Sequence, residues 1–223
     1  MKKPRPIFKI NRFFSRPLTA ILLKTPLTPN HVTLLSLGFG AAAAFLFSRG
    51  DYGHMVSGAV CLQIAAVLDC CDGEIARAKN LKSKLGAVLD VVVDLAVDLL
   101  LFSGIAAGLI RQAVPGPLGP VWGLCVFGTT LNFILVILER QKGFGPAVFN
   151  RHHPEGSGRE SVLFKITEAA SEGDVSWLVL AAAIAGKMDW LFWCAGVYMQ
   201  VLWIFPLSMN FRWIFLKTTH ETR

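Results

Sequence analysis

Apolar residues in this chain come in long unbroken runs, unlike the strict alternation of a half-buried strand or the narrow stripe of a soluble helix. Six such segments fall at residues 31–49, 54–76, 86–110, 118–138, 175–187 and 189–216. A helix of about 20 residues crosses the hydrocarbon layer of a bilayer, a length that all but the short fifth segment approach or exceed. The pattern predicts an all-α integral membrane protein with six transmembrane helices bundled over residues 31–217. Ahead of them, residues 6–26 set Ile7, Phe8, Phe13, Phe14, Leu18, Ile21 and Leu22 among Lys9, Arg12, Arg16 and Lys24. That interleaving predicts an N-terminal amphipathic helix lying in the interface of an anionic leaflet. The long polar connection, residues 143–174, reads as an ordered loop or short helix, so residues 1–223 form a single membrane domain.

Charge sets the orientation. Lys and Arg residues between successive segments alternate so that one side collects 19 and the other 3. Six spans with both termini and the 143–174 loop in the cytoplasm satisfy the positive-inside rule, and five or seven spans would spoil the alternation. The expected location is the cytoplasmic membrane of a bacterium or archaeon. Composition agrees: 53% hydrophobic and 17% charged residues in a 223-residue chain are too apolar for a soluble domain and too few for several domains. The net charge of +7 sits between apolar segments without an aromatic-interleaved patch, so no nucleic acid is expected as a partner. Cys61, Cys70, Cys71, Cys125 and Cys194 lie in apolar runs without a CxxC pair, which points to packing and away from zinc or disulfides. The N-terminus lacks the continuous apolar core of a cleavable signal peptide.

Against this background, LDCCDGEIARAKNLKSKLGAVLDVVVDLAVD, residues 68–98, places Asp69, Asp72, Asp90, Asp94 and Asp98 within or beside apolar spans. One ionised aspartate at the bilayer centre costs about 2.5–3.5 kcal/mol, so five require water, cations or a polar cavity. Asp69 and Asp72 lie one turn apart, and Asp90, Asp94 and Asp98 recur every fourth residue, so each set follows one helix face. Two facing helices can converge these carboxylates. An all-oxygen ligand set suits Mg²⁺, Mn²⁺ or Ca²⁺ better than zinc. Between the sets, Gly73, Ala76 and Gly86 leave room for a flat ring or a phosphate, and Arg77 supplies a permanent charge for phosphate oxygens.

The spacing Asp69-x2-Asp72-Gly73-x2-Ala76-Arg77-x8-Gly86-x3-Asp90-x3-Asp94 resembles, position for position, the signature of the CDP-alcohol phosphotransferase family. The likeness is strong over residues 15–110 and is one of hydropathy beyond them. It implies an interfacial helix, six spans with the signature on the second and third at the cytoplasmic face, and a homodimer. It also implies that Asp69, Asp72, Asp90 and Asp94 ligate two divalent ions, Mg²⁺ or Mn²⁺, with Asp94 as general base. Asp69, Asp72, Gly73, Ala76, Arg77 and Gly86 would then hold the nucleotide of a CDP-alcohol donor. The acceptor would be a polar alcohol, an inositol phosphate or a lipid. DGEIARAK and the TPN-led first span look similar to the branch that uses CDP-inositol.

Other residues carry weaker claims. Thr28, Pro29, Asn30 and Thr33 start the first span as a cap, and Asn30 is also a candidate phosphate contact. Arg140 and Arg151, with Lys142, His152, His153 and Arg159, are candidate acceptor contacts on a loop that anionic lipid would also attract. Asp98 lies outside the signature, and Leu95 stands where many family members carry a basic residue after the fourth aspartate. Trp177, Trp190, Trp193, Trp203 and Trp213 read as interfacial anchors and bundle packing, without a chemical role. Two other functions use membrane aspartates. An intramembrane prenyltransferase needs two separated aspartate motifs on a longer chain, and a cation transporter is poorly served by Arg77 beside its ion path.

Overall fold

A computed structural model of the protein describes residues 10–142 and 175–221, with side chains defined except at 84, 136, 138–142 and 205–221. The described residues form seven helices and no strand: α1 (Ile10–Leu22), α2 (Pro29–Arg49), α3 (Tyr52–Ala78), α4 (Lys84–Arg111), α5 (Leu118–Lys142), α6 (Val175–Ile184) and α7 (Met188–Glu221). Short polar residues start them by satisfying backbone N–H groups that lack an intrahelical partner. Asp51 Oδ1 accepts from His54 N at 3.1 Å, and Ser83 Oγ accepts from Gly86 N at 2.9 Å. Pro29 occupies the first turn of α2, behind Thr28. Left-handed residues stop them: Asn80 (φ +55°) after α3, with Leu81 N donating to Ala76 O at 3.0 Å, and Gly186 (φ +65°) after α6.

α2 is the spine of the fold. It packs along both α3 and α4, which barely touch each other directly. The α2–α4 crossing is close because Gly104 and Gly108 stand one turn apart on α4. A Cβ at Gly104 would lie 2.3 Å from the Ala44 carbonyl oxygen, and one at Gly108 would lie 2.1 Å from that of Phe47. Small residues are what lets helices approach where lipid offers no hydrophobic drive for association. Phe47, Met55, Leu62, Ile105, Leu109 and Phe192 join α2, α3, α4 and α7 in one buried cluster away from the aspartates.

α1 lies against α3 with an arrangement the apolar and basic pattern did not reveal. Asn11, Ser15 and Thr19, spaced at four residues, are 4%, 0% and 6% exposed, whereas Phe13 and Ile21 are 76% and 62% exposed. The polar stripe faces inward because α3 presents polar partners there: Gln63 Nε2 donates to Asn11 Oδ1 at 2.5 Å, and Glu74 accepts from both hydroxyls. Residues 6–9 and 143–174 lie outside the described residues.

Pro29–Arg49, Tyr52–Ala78 and Leu118–Leu135 are long and apolar enough to cross a membrane. α4, 28 residues long, carries Asp90 and Asp94 in its first half and Asp98 at its middle. The expected fifth segment, 175–187, ends as helix at Ile184, because Gly186 turns the chain into α7.

Gly104→Ala forces a methyl group into backbone, at a cost of about 1–3 kcal/mol, the usual range for overpacking. Thermal unfolding in detergent is expected to fall by several degrees. Gly123→Ala, where a Cβ meets nothing within 4 Å, is expected to leave the midpoint unchanged or raise it.

Candidate active site

Asp69 and Asp72 come from the C-terminal half of α3, and Asp90 comes from the second turn of α4. Each offers one carboxylate oxygen to a group whose members all lie within 4.8 Å of one another. Helices that scarcely pack together therefore present acidic groups across a gap that α2 holds open. Asp72 is the most buried of the three, at 6% exposure. Thr33, one turn into α2, donates from Oγ1 to Asp72 Oδ2 at 2.5 Å and fixes which way that carboxylate points. Asp94 falls outside this threesome but reaches hydrogen-bonding contact with Asp69, and Asp98 stands one turn further along α4, within electrostatic range of both.

The small residues of the spacing line the same region. Above Gly73, the Arg77 guanidinium folds back along α3 so that a Cβ at Gly73 would meet Arg77 Nη1 at 3.3 Å. Gly86 sits beside Asn30: a Cβ there would meet Ser83 Oγ at 3.0 Å and Asn30 Oδ1 at 3.3 Å. The first turns of α2 and α4 thus adjoin, and Asn30 joins Gly86 at the rim. Ala76 is half-buried between Gly73 and the end of α3, and Arg77 is exposed. Arg140 lies in α5 with its side chain outside the described residues, as is the whole of Arg151.

The donor set fits a hard divalent cation. Oxygen ligands at 2.1–2.5 Å stand up to about 4–5 Å apart across such an ion, which matches the three carboxylates. Among the described residues no His or Cys joins the group, and an all-carboxylate set suits a hard cation better than zinc. The Arg77 guanidinium beside Gly73 suits the oxygens of a phosphate bridged to that cation.

Two features escaped the sequence. Thr33 reads as a helix-start residue, yet it is the hydrogen-bond donor that orients Asp72. Glu74 lies within the signature at an unspecified position. Its carboxylate accepts from Ser15 Oγ at 3.0 Å and from Thr19 Oγ1 at 2.7 Å, on the α3 face turned away from the aspartates. The four-residue spacing of Asn11, Ser15 and Thr19 was the available signal for a polar docking stripe.

Comparison with known proteins places these residues in context. The family model described as CDP-alcohol phosphatidyltransferase matches residues 26–201. A bifunctional IPC transferase and DIPP synthase of Rubrobacter xylanophilus is 43% identical over 87 residues, covering 39% of this chain and 19% of that protein. A phosphatidylinositol phosphate synthase of Corynebacterium glutamicum is 34% identical over 94 residues, covering 42% of each. The matched stretch therefore spans less than half the length of either relative. The crystal structure of Mycobacterium tuberculosis phosphatidylinositol phosphate synthase with CDP-DAG bound shares the fold, with a TM-score of 0.61, 21% identity, and coverage of 89% of this chain and 94% of that one. A structure of the same protein in complex with manganese and citrate aligns with a TM-score of 0.58, 21% identity and 88% of each chain.

Thr33→Val keeps the shape and removes the donor to Asp72. Loss of such an orienting partner is expected to weaken Mn²⁺ binding by about 10–100-fold, read by electron paramagnetic resonance titration of free Mn²⁺. Asp90→Asn, which removes a ligand itself, is expected to weaken binding further, and both variants should keep wild-type helical circular dichroism.

Proposed function

The chain belongs to the CDP-alcohol phosphatidyltransferase family, and on that premise we propose that it moves a substituted phosphate group from a CDP-linked donor to an acceptor hydroxyl, releasing CMP. It is a membrane protein. The observation that carries the reading is the meeting of Asp69, Asp72 and Asp90 from two helices within 4.8 Å, next to Gly73 and Arg77.

Asp69, Asp72, Asp90 and Asp94 would hold a pair of Mg²⁺ or Mn²⁺ ions. Bound there, the ions would neutralise the diphosphate oxygens and ease departure of CMP. Arg77 binds phosphate oxygens as a fixed charge, while Gly73, Ala76 and Gly86 leave space for the nucleotide against α3 and α4. Asp94 takes the proton of the acceptor hydroxyl as that oxygen attacks the phosphorus bearing the alcohol. Its contact with Asp69 supports this role, since it holds Asp94 beside the reacting groups without making it one of the three clustered ligands. Asn30, at the Gly86 rim, is a further phosphate contact, and Arg140 and Arg151 are candidates for the acceptor.

The proposed frame is a six-span bundle with both termini cytoplasmic, supported by the 19-to-3 distribution of Lys and Arg. α1 would lie at the cytoplasmic interface, its exposed Phe13 and Ile21 in lipid and its exposed Arg12 and Arg16 at the headgroups. A homodimer is proposed from family resemblance. Relatives named phosphatidylinositol phosphate synthase support an inositol-bearing donor or acceptor, in a phospholipid or a soluble phosphodiester product.

Purified protein with Mn²⁺ or Mg²⁺, CDP-diacylglycerol or CDP-inositol as donor, and inositol phosphate as acceptor is expected to release CMP, and chelation is expected to stop it. Asp94→Asn is expected to lower turnover by about 10²–10⁴-fold, the usual range for a general base, while leaving donor affinity within a few-fold. Metal-driven ion flux in vesicles without CMP release would replace this reading with that of a cation transporter.

A further inference from the structure

The C-terminal half of α3 carries Asp69, Asp72, Gly73, Ala76 and Arg77, and with its cap residue Lys79 it is tied to residues 15–33 through the side chains of Asp72, Glu74 and Lys79. Ser15 Oγ and Thr19 Oγ1 donate to the two oxygens of Glu74. Lys79 Nζ donates to the carbonyls of Thr25 and Leu27 at 2.9 Å each, and so grips the turn between α1 and α2. Thr33 holds Asp72. At 100° per residue, Glu74 lies roughly 160° around the helix from Asp72, so the α1 attachment acts on the side of α3 opposite the site.

We propose that Glu74 and Lys79 are positioning residues: through α1 and the α1–α2 turn they fix the rotation and axial register of α3, and so aim Asp69 and Asp72 at Asp90. This inference rests on the reading of the aspartates as the metal and donor site. The geometry makes a specific demand. α3 and α4 barely pack against each other, so beyond the Asp69–Asp94 contact little between them sets the angle at which the α3 aspartates cross the gap. A rotation of α3 by 20° moves a carboxylate about 6–7 Å from the helix axis by about 2 Å, enough to separate it from a cation whose oxygen bonds are 2.1–2.5 Å long. Two hydroxyl hydrogen bonds on one oxygen pair, with Ser15 and Thr19 both buried, oppose that rotation, and the Lys79 bonds to two carbonyls oppose sliding.

The role is separable from simple support of the fold and from the added negative charge of Glu74. The test uses the full-length protein in detergent, with Mn²⁺ affinity by paramagnetic titration, KM for the CDP-linked donor, kcat and thermal midpoint. Glu74→Leu and the Ser15→Ala/Thr19→Val pair are each expected to weaken Mn²⁺ binding and raise donor KM by about tenfold, as orienting groups do, with kcat at saturation changed less. Combining them is expected to add little, since both remove the same bonds. Glu74→Gln, which loses the charge but keeps an oxygen that accepts one hydroxyl, is expected to retain most of the affinity. Lys79→Met is expected to behave like Glu74→Leu, and Lys79→Arg to recover. Wild-type Mn²⁺ affinity and donor KM in Glu74→Leu would overturn the inference and leave the assigned reaction standing. Glu74→Gln as damaging as Glu74→Leu, or a lowered thermal midpoint with unchanged affinity and KM, would also overturn it. Failure of the wild-type protein to bind Mn²⁺ or release CMP would instead remove the functional reading and this inference with it.

Discussion

Like charges brought within 4.8 Å repel by roughly 3.5 kcal/mol per pair at an effective dielectric constant near 20. For three ionised carboxylates that approaches about 10 kcal/mol, comparable to the whole folding stability of an ordinary domain. A bundle that collects Asp69, Asp72 and Asp90 therefore calls for positive charge among them, from protons or a cation, as well as helices stiff enough to hold the acids together. The arrangement follows from that requirement: α3 and α4 supply the acids, α2 holds both helices, and the gap stays open to a ligand.

Stiffness comes from close approach. Gly104 and Gly108 let the α4 backbone rest on the carbonyls of Ala44 and Phe47, and Gly50 turns out of α2 against Gly108. These contacts lie in the half of the bundle away from the aspartates, where Phe47, Met55 and Leu109 fill the core. At the other end there is little apolar packing between α3 and α4, and polar bonds take over: Thr33 to Asp72, Lys79 to the turn carbonyls, and Glu74 to α1. One end of the molecule is closed by packing and the other is held open by hydrogen bonds, a division that suits the proposed binding of a charged, bulky nucleotide.

α1 illustrates how one helix serves two surroundings. Its exposed Phe13 and Ile21 and its exposed Arg12 and Arg16 match an interfacial position, while Asn11, Ser15 and Thr19 match the polar positions of α3. Asn11 also accepts from Trp177 Nε1 at 3.0 Å and donates to Ser176 Oγ at 3.2 Å, so α1 bridges α3 and α6. Trp177, which reads in sequence as an interfacial anchor or bundle packing, is part of the bundle's polar packing.

The sequence by itself determined the class of the protein and the acids at its centre. Apolar runs of about 20 residues read as membrane helices, and the period of a helix places Asp69 with Asp72 and Asp90 with Asp94 on common faces wherever those helices lie. The start of α2 was legible for the same reason, since Thr28 and Pro29 act on neighbours three or four residues away. Only the tertiary structure decided which acids meet. It groups Asp90 with the α3 pair and leaves Asp94 one turn aside in contact with Asp69, because the crossing on α2 sets the height of α4 relative to α3. It also decided that Thr33 orients Asp72 and that Glu74 faces α1. Those bonds join residues 39, 55 and 59 positions apart, and helical periodicity fixes a residue's neighbours only on its own helix.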